Sequence, residues 1–80
     1  MDPKPQLRAF ILKNFYVADP AQLTDDVSLL DRGIIDSTGV LELTAYIEET
    51  FGVTVADEEL LPENLDSIDN LDAFVRRKRS

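Results

Sequence analysis

Leu30-Asp31-Arg32-Gly33-Ile34-Ile35-Asp36-Ser37-Thr38-Gly39-Val40-Leu41-Glu42-Leu43 is the stretch on which the reading of this chain turns. Up to Ile35 it belongs to a connection. From Asp36-Ser37 onward it opens a helix whose spacing carries to Phe51, with Gly52 placed as the C′ residue. At about 100° per residue, Leu43, Ile47, Val40, Phe51 and Thr44 fall in one sector of roughly 100°, the sector that faces a core. The opposite sector holds Thr38, Glu42, Ala45 and Glu49. It is small and acidic, and it begins beside Ser37. A partner could lie along it without meeting a bulky side chain; an ordinary solvated face has the same composition.

Working outward, Leu7, Phe10, Ile11 and Phe15 recur at helical spacing over residues 5–15, and Asp19-Pro20 ends that pattern. The connection over residues 17–35 exceeds the roughly 12–15 residues beyond which a loop is usually functional or disordered. Val27, Leu29, Leu30, Ile34 and Ile35 are apolar anchors within it, so an ordered loop that delivers the chain to a helix start is expected. Beyond Gly52, residues 53–55 read as extended. Residues 57–61 read as a short acidic helix stopped at Pro62. Asp66 or Ser67 then caps a last helix with Ile68, Leu71, Phe74 and Val75 as its apolar stripe. The expected fold is all-α: a bundle of three longer helices and one short one, with a long ordered loop between the first two. Residues 1–80 make a single domain, with residues 1–4 and 77–80 expected to fray.

Sixteen acids against eight bases give a net charge of −8, unevenly spread. Residues 25–72 hold fourteen acids and one base, Arg32; the other bases lie towards the ends. Such a field repels nucleic acid and anionic lipid and attracts basic protein surfaces. The absence of cysteine removes disulfides, thiolate metal sites and catalytic thiols. The absence of histidine removes the commonest general base and transition-metal ligand. No paired acid and base suggests an enzyme, and no catalytic or metal-ligating residue is assigned. A calcium loop starting at Asp66 would need an oxygen ligand at Ile68, glycine at Leu71 and glutamate at Arg77, so an EF-hand is excluded. No apolar run spans a membrane, and Met1-Asp2-Pro3-Lys4-Pro5 does not read as a signal peptide, so a cytoplasmic monomer is expected.

The stretch 30–43 resembles the modification site of acyl and peptidyl carrier proteins, in which an Asp-Ser pair preceded by a Gly-apolar step opens the second helix. The resemblance continues through Ile47-Glu48-Glu49-Thr50-Phe51-Gly52-Val53, Asp57-Glu58-Glu59-Leu60 and Pro62-Glu63-Asn64-Leu65-Asp66-Ser67-Ile68, covering roughly residues 5–76. Asp-Ser alone is a weak signal, since the pair caps a helix far more often than it marks a modification. With this loop, length, charge and helix order it is a strong one. The resemblance implies that Ser37 receives 4′-phosphopantetheine from coenzyme A through a separate phosphopantetheinyl transferase. The arm's thiol then holds an acyl or aminoacyl group as a thioester for other enzymes. Asp36 can cap the helix, and the resemblance implies that it also helps to bind the transferase's metal and cofactor; the small acidic face of Thr38, Glu42, Ala45 and Glu49 is the expected docking face for enzymes with basic surfaces. Where many fatty-acid carriers have a large apolar residue after the serine, this chain has Thr38 and Gly39. A glycine there costs up to about 1 kcal/mol relative to alanine. Ile34-Ile35-Asp36-Ser37-Thr38-Gly39 is similar to discrete carriers loaded by adenylating ligases, the D-alanyl carrier group among them. The competing reading is an unmodified acidic helical interaction domain in which Ser37 is only part of a cap.

Overall fold

A computed structural model describes residues 2–79. Four α-helices follow one another: α1 (Pro3–Asn14), α2 (Ser37–Phe51), α3 (Pro62–Leu65) and α4 (Ile68–Arg79). Short 3₁₀ turns occupy Pro20–Gln22 and Asp57–Glu59, and there is no strand among the described residues. The fold is all-α, a small helical carrier-type bundle with a long loop between α1 and α2.

Helices α1, α2 and α4 each start where the sequence supplies a side-chain acceptor for the unpaired amides of the first turn. The Asp2 carboxylate accepts from the Lys4 N–H at 3.0 Å, ahead of a first turn containing proline. The Asp36 carboxylate accepts from the Gly39 N–H at 2.8 Å. Ser67, rather than Asp66, caps α4: its Oγ accepts from the Asn70 N–H at 3.0 Å. At the other end of α2, Gly52 takes the left-handed conformation (φ 69°) and its N–H donates to the Glu48 carbonyl at 3.0 Å. The Glu48 carboxylate turns back to accept from the Val55 N–H at 2.9 Å, which fixes the extended passage after the helix.

Helix α4 packs most closely on α1 and α3. The core is built from Leu7 and Ile11 of α1, Leu43, Ile47 and Phe51 of α2, Leu65 of α3, and Ile68, Leu71, Phe74 and Val75 of α4, all buried. Between α1 and α2 the spacing is filled by aromatic rings. Phe10 stacks on Tyr46 with centroids 4.1 Å apart, and Tyr46 meets Phe51 edge-on at 6.2 Å. The Tyr46 hydroxyl donates to the Gln6 carbonyl at 3.2 Å.

The long loop is ordered by internal and external bonds. Ile34 and Ile35 N–H both donate to the Leu29 carbonyl at 3.0 and 3.2 Å, around a left-handed Gly33. Leu29 and Ile35 enter the core, Val27 and Ile34 are half-buried, and Leu30 stays at the surface. Leu23, just after the first 3₁₀ turn, is a further buried anchor. The loop's outer side is tied by charge: Lys4 reaches Asp69 at 2.8 Å and Asp25 at 3.7 Å, and Arg8 bonds Asp25 and the Leu23 carbonyl.

One expectation is corrected. Residues 57–61 do not form an α-helix that Pro62 stops. They make a single 3₁₀ turn, and Pro62 opens α3, because its fixed φ and missing N–H suit a first helical position. Helices α1 and α4 run into the two end segments among the described residues. Pro3 is buried, Lys4 is paired, and Lys78 bonds Glu59 at 2.9 Å. Met1 and Ser80 lie outside the described residues.

Candidate functional site

Ser37 is the first residue of α2 and its side chain is exposed. The turn beneath it is tightly specified. Asp36 is extended (φ −112°, ψ −171°); its carbonyl accepts from the Val40 N–H at 2.9 Å while its carboxylate holds the Gly39 N–H. The hydroxyl therefore stands at the positive end of a fifteen-residue helix. Early amides and the helix dipole favour an anionic substituent at such a place.

Gly39 is buried, and space rather than flexibility accounts for it. A Cβ built there would lie 2.9 Å from Cε1 of Phe15 and 3.1 Å from Cγ2 of Ile35. The end of α1 thus rests directly on the first turn of α2.

Thr38, Glu42, Ala45 and Glu49 are all exposed, and they follow Ser37 down the outer side of α2. Asp36, Ser37 and Thr38 are brought together at the helix start. The two glutamates lie further along, out of the first turn.

An apolar groove of about 360 Å³ runs beside Ser37, a feature missing from the sequence reading. Ser37 itself lines it, with Leu30 and Ile35 from the loop, Val40 and Leu41 from α2, and Leu60, Leu61, Pro62 and Leu65 from the α3 region. Three leucines are left notably open to solvent there: Leu41 is 61% exposed, Leu61 42% and Leu30 39%. One signal was available: at about 160° from Leu43 on a 100° helix, Leu41 belongs to neither the core sector nor the acidic one. No group of three or more metal-ligating side chains occurs among the described residues, and none of their helices is long and apolar enough to cross a membrane.

An exposed serine at a helix mouth, an ordered loop leading into it and an acidic four-helix frame are the features on which carrier domains are built. Residues 5–75 match the family described as PP-binding, phosphopantetheine attachment site, and the chain belongs to that family. Among individual relatives, it is 34% identical over 53 residues to the D-alanyl carrier protein of Abiotrophia defectiva, a match that spans 66% of this chain and 67% of the relative. The cofactor of the family is covalently attached 4′-phosphopantetheine, and the protein is a carrier of acyl or aminoacyl groups bound through it. Carrier proteins are generally non-catalytic, and their domains interact with synthetases and transferases.

Proposed function

We propose that Ser37 is the attachment residue, and that the protein presents acyl or aminoacyl thioesters on this arm to partner enzymes. The observation that carries the reading is the exposed Ser37 hydroxyl at the first residue of α2, opening on the apolar groove. Attachment forms one O–P bond at Ser37 Oγ as the pyrophosphate link of coenzyme A breaks and 3′,5′-adenosine diphosphate leaves, while a phosphopantetheinyl transferase removes the hydroxyl proton. Once attached, the arm supplies a thiol that holds cargo as a thioester. The protein's own contribution is positional: the cap sets the first turn, and the helix end favours the phosphodiester. Asp36 has a second part in this reading, as a carboxylate offered to the transferase's metal and cofactor.

The acids of the outer α2 face, Glu42 and Glu49 with the small Thr38 and Ala45 beside them, form the docking surface for enzymes with basic patches. Similarity to a D-alanyl carrier protein supports a small acyl or aminoacyl cargo loaded by an adenylating ligase. Coenzyme A and an adenylating partner as co-reactants support a cytoplasmic site of action.

Incubation with coenzyme A and a panel of phosphopantetheinyl transferases, followed by intact mass measurement, tests the reading. One phosphopantetheinyl addition is expected, absent in Ser37→Ala. No addition with any transferase would favour an unmodified interaction domain that uses the acidic face alone.

A further inference from the structure

We infer that Phe15 is a positioning residue for Ser37, acting through Gly39; the inference rests on Ser37 being the attachment residue. Phe15 closes α1, where its N–H donates to the Ile11 carbonyl at 3.0 Å, and its ring edge lies over the first turn of α2. The space between them is used up, since a Cβ on Gly39 would come within 2.9 Å of the ring. The ring is not a loose side-chain tip that can swing aside. It meets Phe10 edge-on at 5.9 Å and 74°, and Phe10 is in turn clamped by the stacked Tyr46.

Gly39 is also the residue whose N–H the Asp36 carboxylate holds, and Ile35 closes the seat from the loop side. Phe15, Ile35 and Asp36 thus grip one backbone turn on three sides, and Ser37 projects from that turn into solvent. Phe15 does not touch the transferred group. It fixes the height and direction of the Ser37 Oγ by fixing the backbone beneath it. Glycine in a helix's first turn is unfavourable where room exists for a methyl group. Here the methyl group has no room, so the usual gain from alanine is reversed. Displacement of a nucleophile by a fraction of an ångström acts on the transfer step, whereas the acids that meet the enzyme lie further along α2 and stay in place.

Transferase kinetics on the whole chain provide the test. Gly39→Ala is expected to lower kcat for phosphopantetheinyl addition by roughly tenfold with KM nearly unchanged. Phe15→Leu, which removes the ring edge, is expected to restore the rate in the Gly39→Ala background to within about threefold of wild type, a coupling that two independent sites would not show. A wild-type rate in Gly39→Ala, or no recovery in the double variant, overturns the inference. Amide hydrogen exchange gives a readout independent of labelling. In Phe15→Ala the Gly39 and Val40 amides should exchange about tenfold faster while those of Ile47 and Phe74 do not change, as expected for local opening. Unchanged exchange at Gly39 and Val40 sinks the positioning role even if the attachment reading survives. A wild-type chain that takes no label sinks the attachment reading instead.

Discussion

The Ser28 hydroxyl donates to the Asp66 carboxylate at 2.6 Å, across 38 residues of sequence. The same carboxylate accepts from the Leu30 N–H at 2.9 Å, and the Asp66 carbonyl accepts from the Leu29 N–H at 2.7 Å. One residue at the α3–α4 junction thereby anchors the loop that leads to Ser37. Truncating its side chain removes the partner of two polar groups, the Ser28 hydroxyl and the Leu30 N–H, and leaves the backbone bond to Leu29 in place. Asp66→Ala is expected to destabilise the protein by about 1–3 kcal/mol, measured as a shift in urea midpoint. A loss under about 0.5 kcal/mol would place the loop's order elsewhere.

Asp36 caps α2, and a pair of substitutions can separate that role from its proposed contact with the transferase. Asp36→Ala removes the cap and should cost about 1 kcal/mol, whereas Asp36→Asn keeps an acceptor and should stay within a few tenths. If the carboxylate also serves the transferase, both variants accept phosphopantetheine more slowly. Normal labelling of Asp36→Asn would reduce Asp36 to a cap.

Glu59 provides a pH-dependent contribution. Its carboxyl is held below the ordinary value of 4.5, first by the Ala56 backbone N–H and then by the Lys78 ammonium. A depressed folded pKa means that the unfolded chain binds the proton more readily. The contribution is therefore present above about pH 4.5 and is lost as pH falls from there through the lower folded value. Glu59→Gln should accordingly be the less stable protein at neutral pH and should lose less on acidification. Urea midpoints at neutral pH and near pH 3 check this, and parallel curves for the two proteins would contradict it.

The outer face of α2 is testable through salt. Glu42→Lys combined with Glu49→Lys should slow association with a transferase at low ionic strength and leave the urea midpoint close to wild type, because both side chains are exposed and steering acts on the encounter. The difference should shrink as salt is raised. Equal association rates at low salt would move the docking surface off this face.

Much of the frame was legible because local rules agreed. The apolar spacing of α1 and α2, the Asp36 cap and the left-handed Gly52 are each decided within a few neighbouring residues. Pro62 is ambiguous in sequence because proline is as suitable for opening a helix as it is unfit to continue one, and only the path of Leu60 and Leu61 distinguishes the two. Leu23 is not legible as an anchor in sequence, because it stands alone beyond a 3₁₀ turn with no periodic partner. The groove was out of reach for a different reason. Leu30, Leu41 and Leu61 come from three separate segments, and only the folded chain sets them side by side. Gly39 likewise reads as a weak point in a helix by sequence alone, because Phe15, which occupies the room a methyl group would need, lies 24 residues earlier.

The leucine-lined depression beside Ser37 is a trough without a roof. On the proposed attachment at Ser37 the tether would be rooted at its edge, so that cargo could settle there and lift away with every helix folded. A carrier of that kind would leave the pace of loading and delivery to whichever enzyme grips the arm.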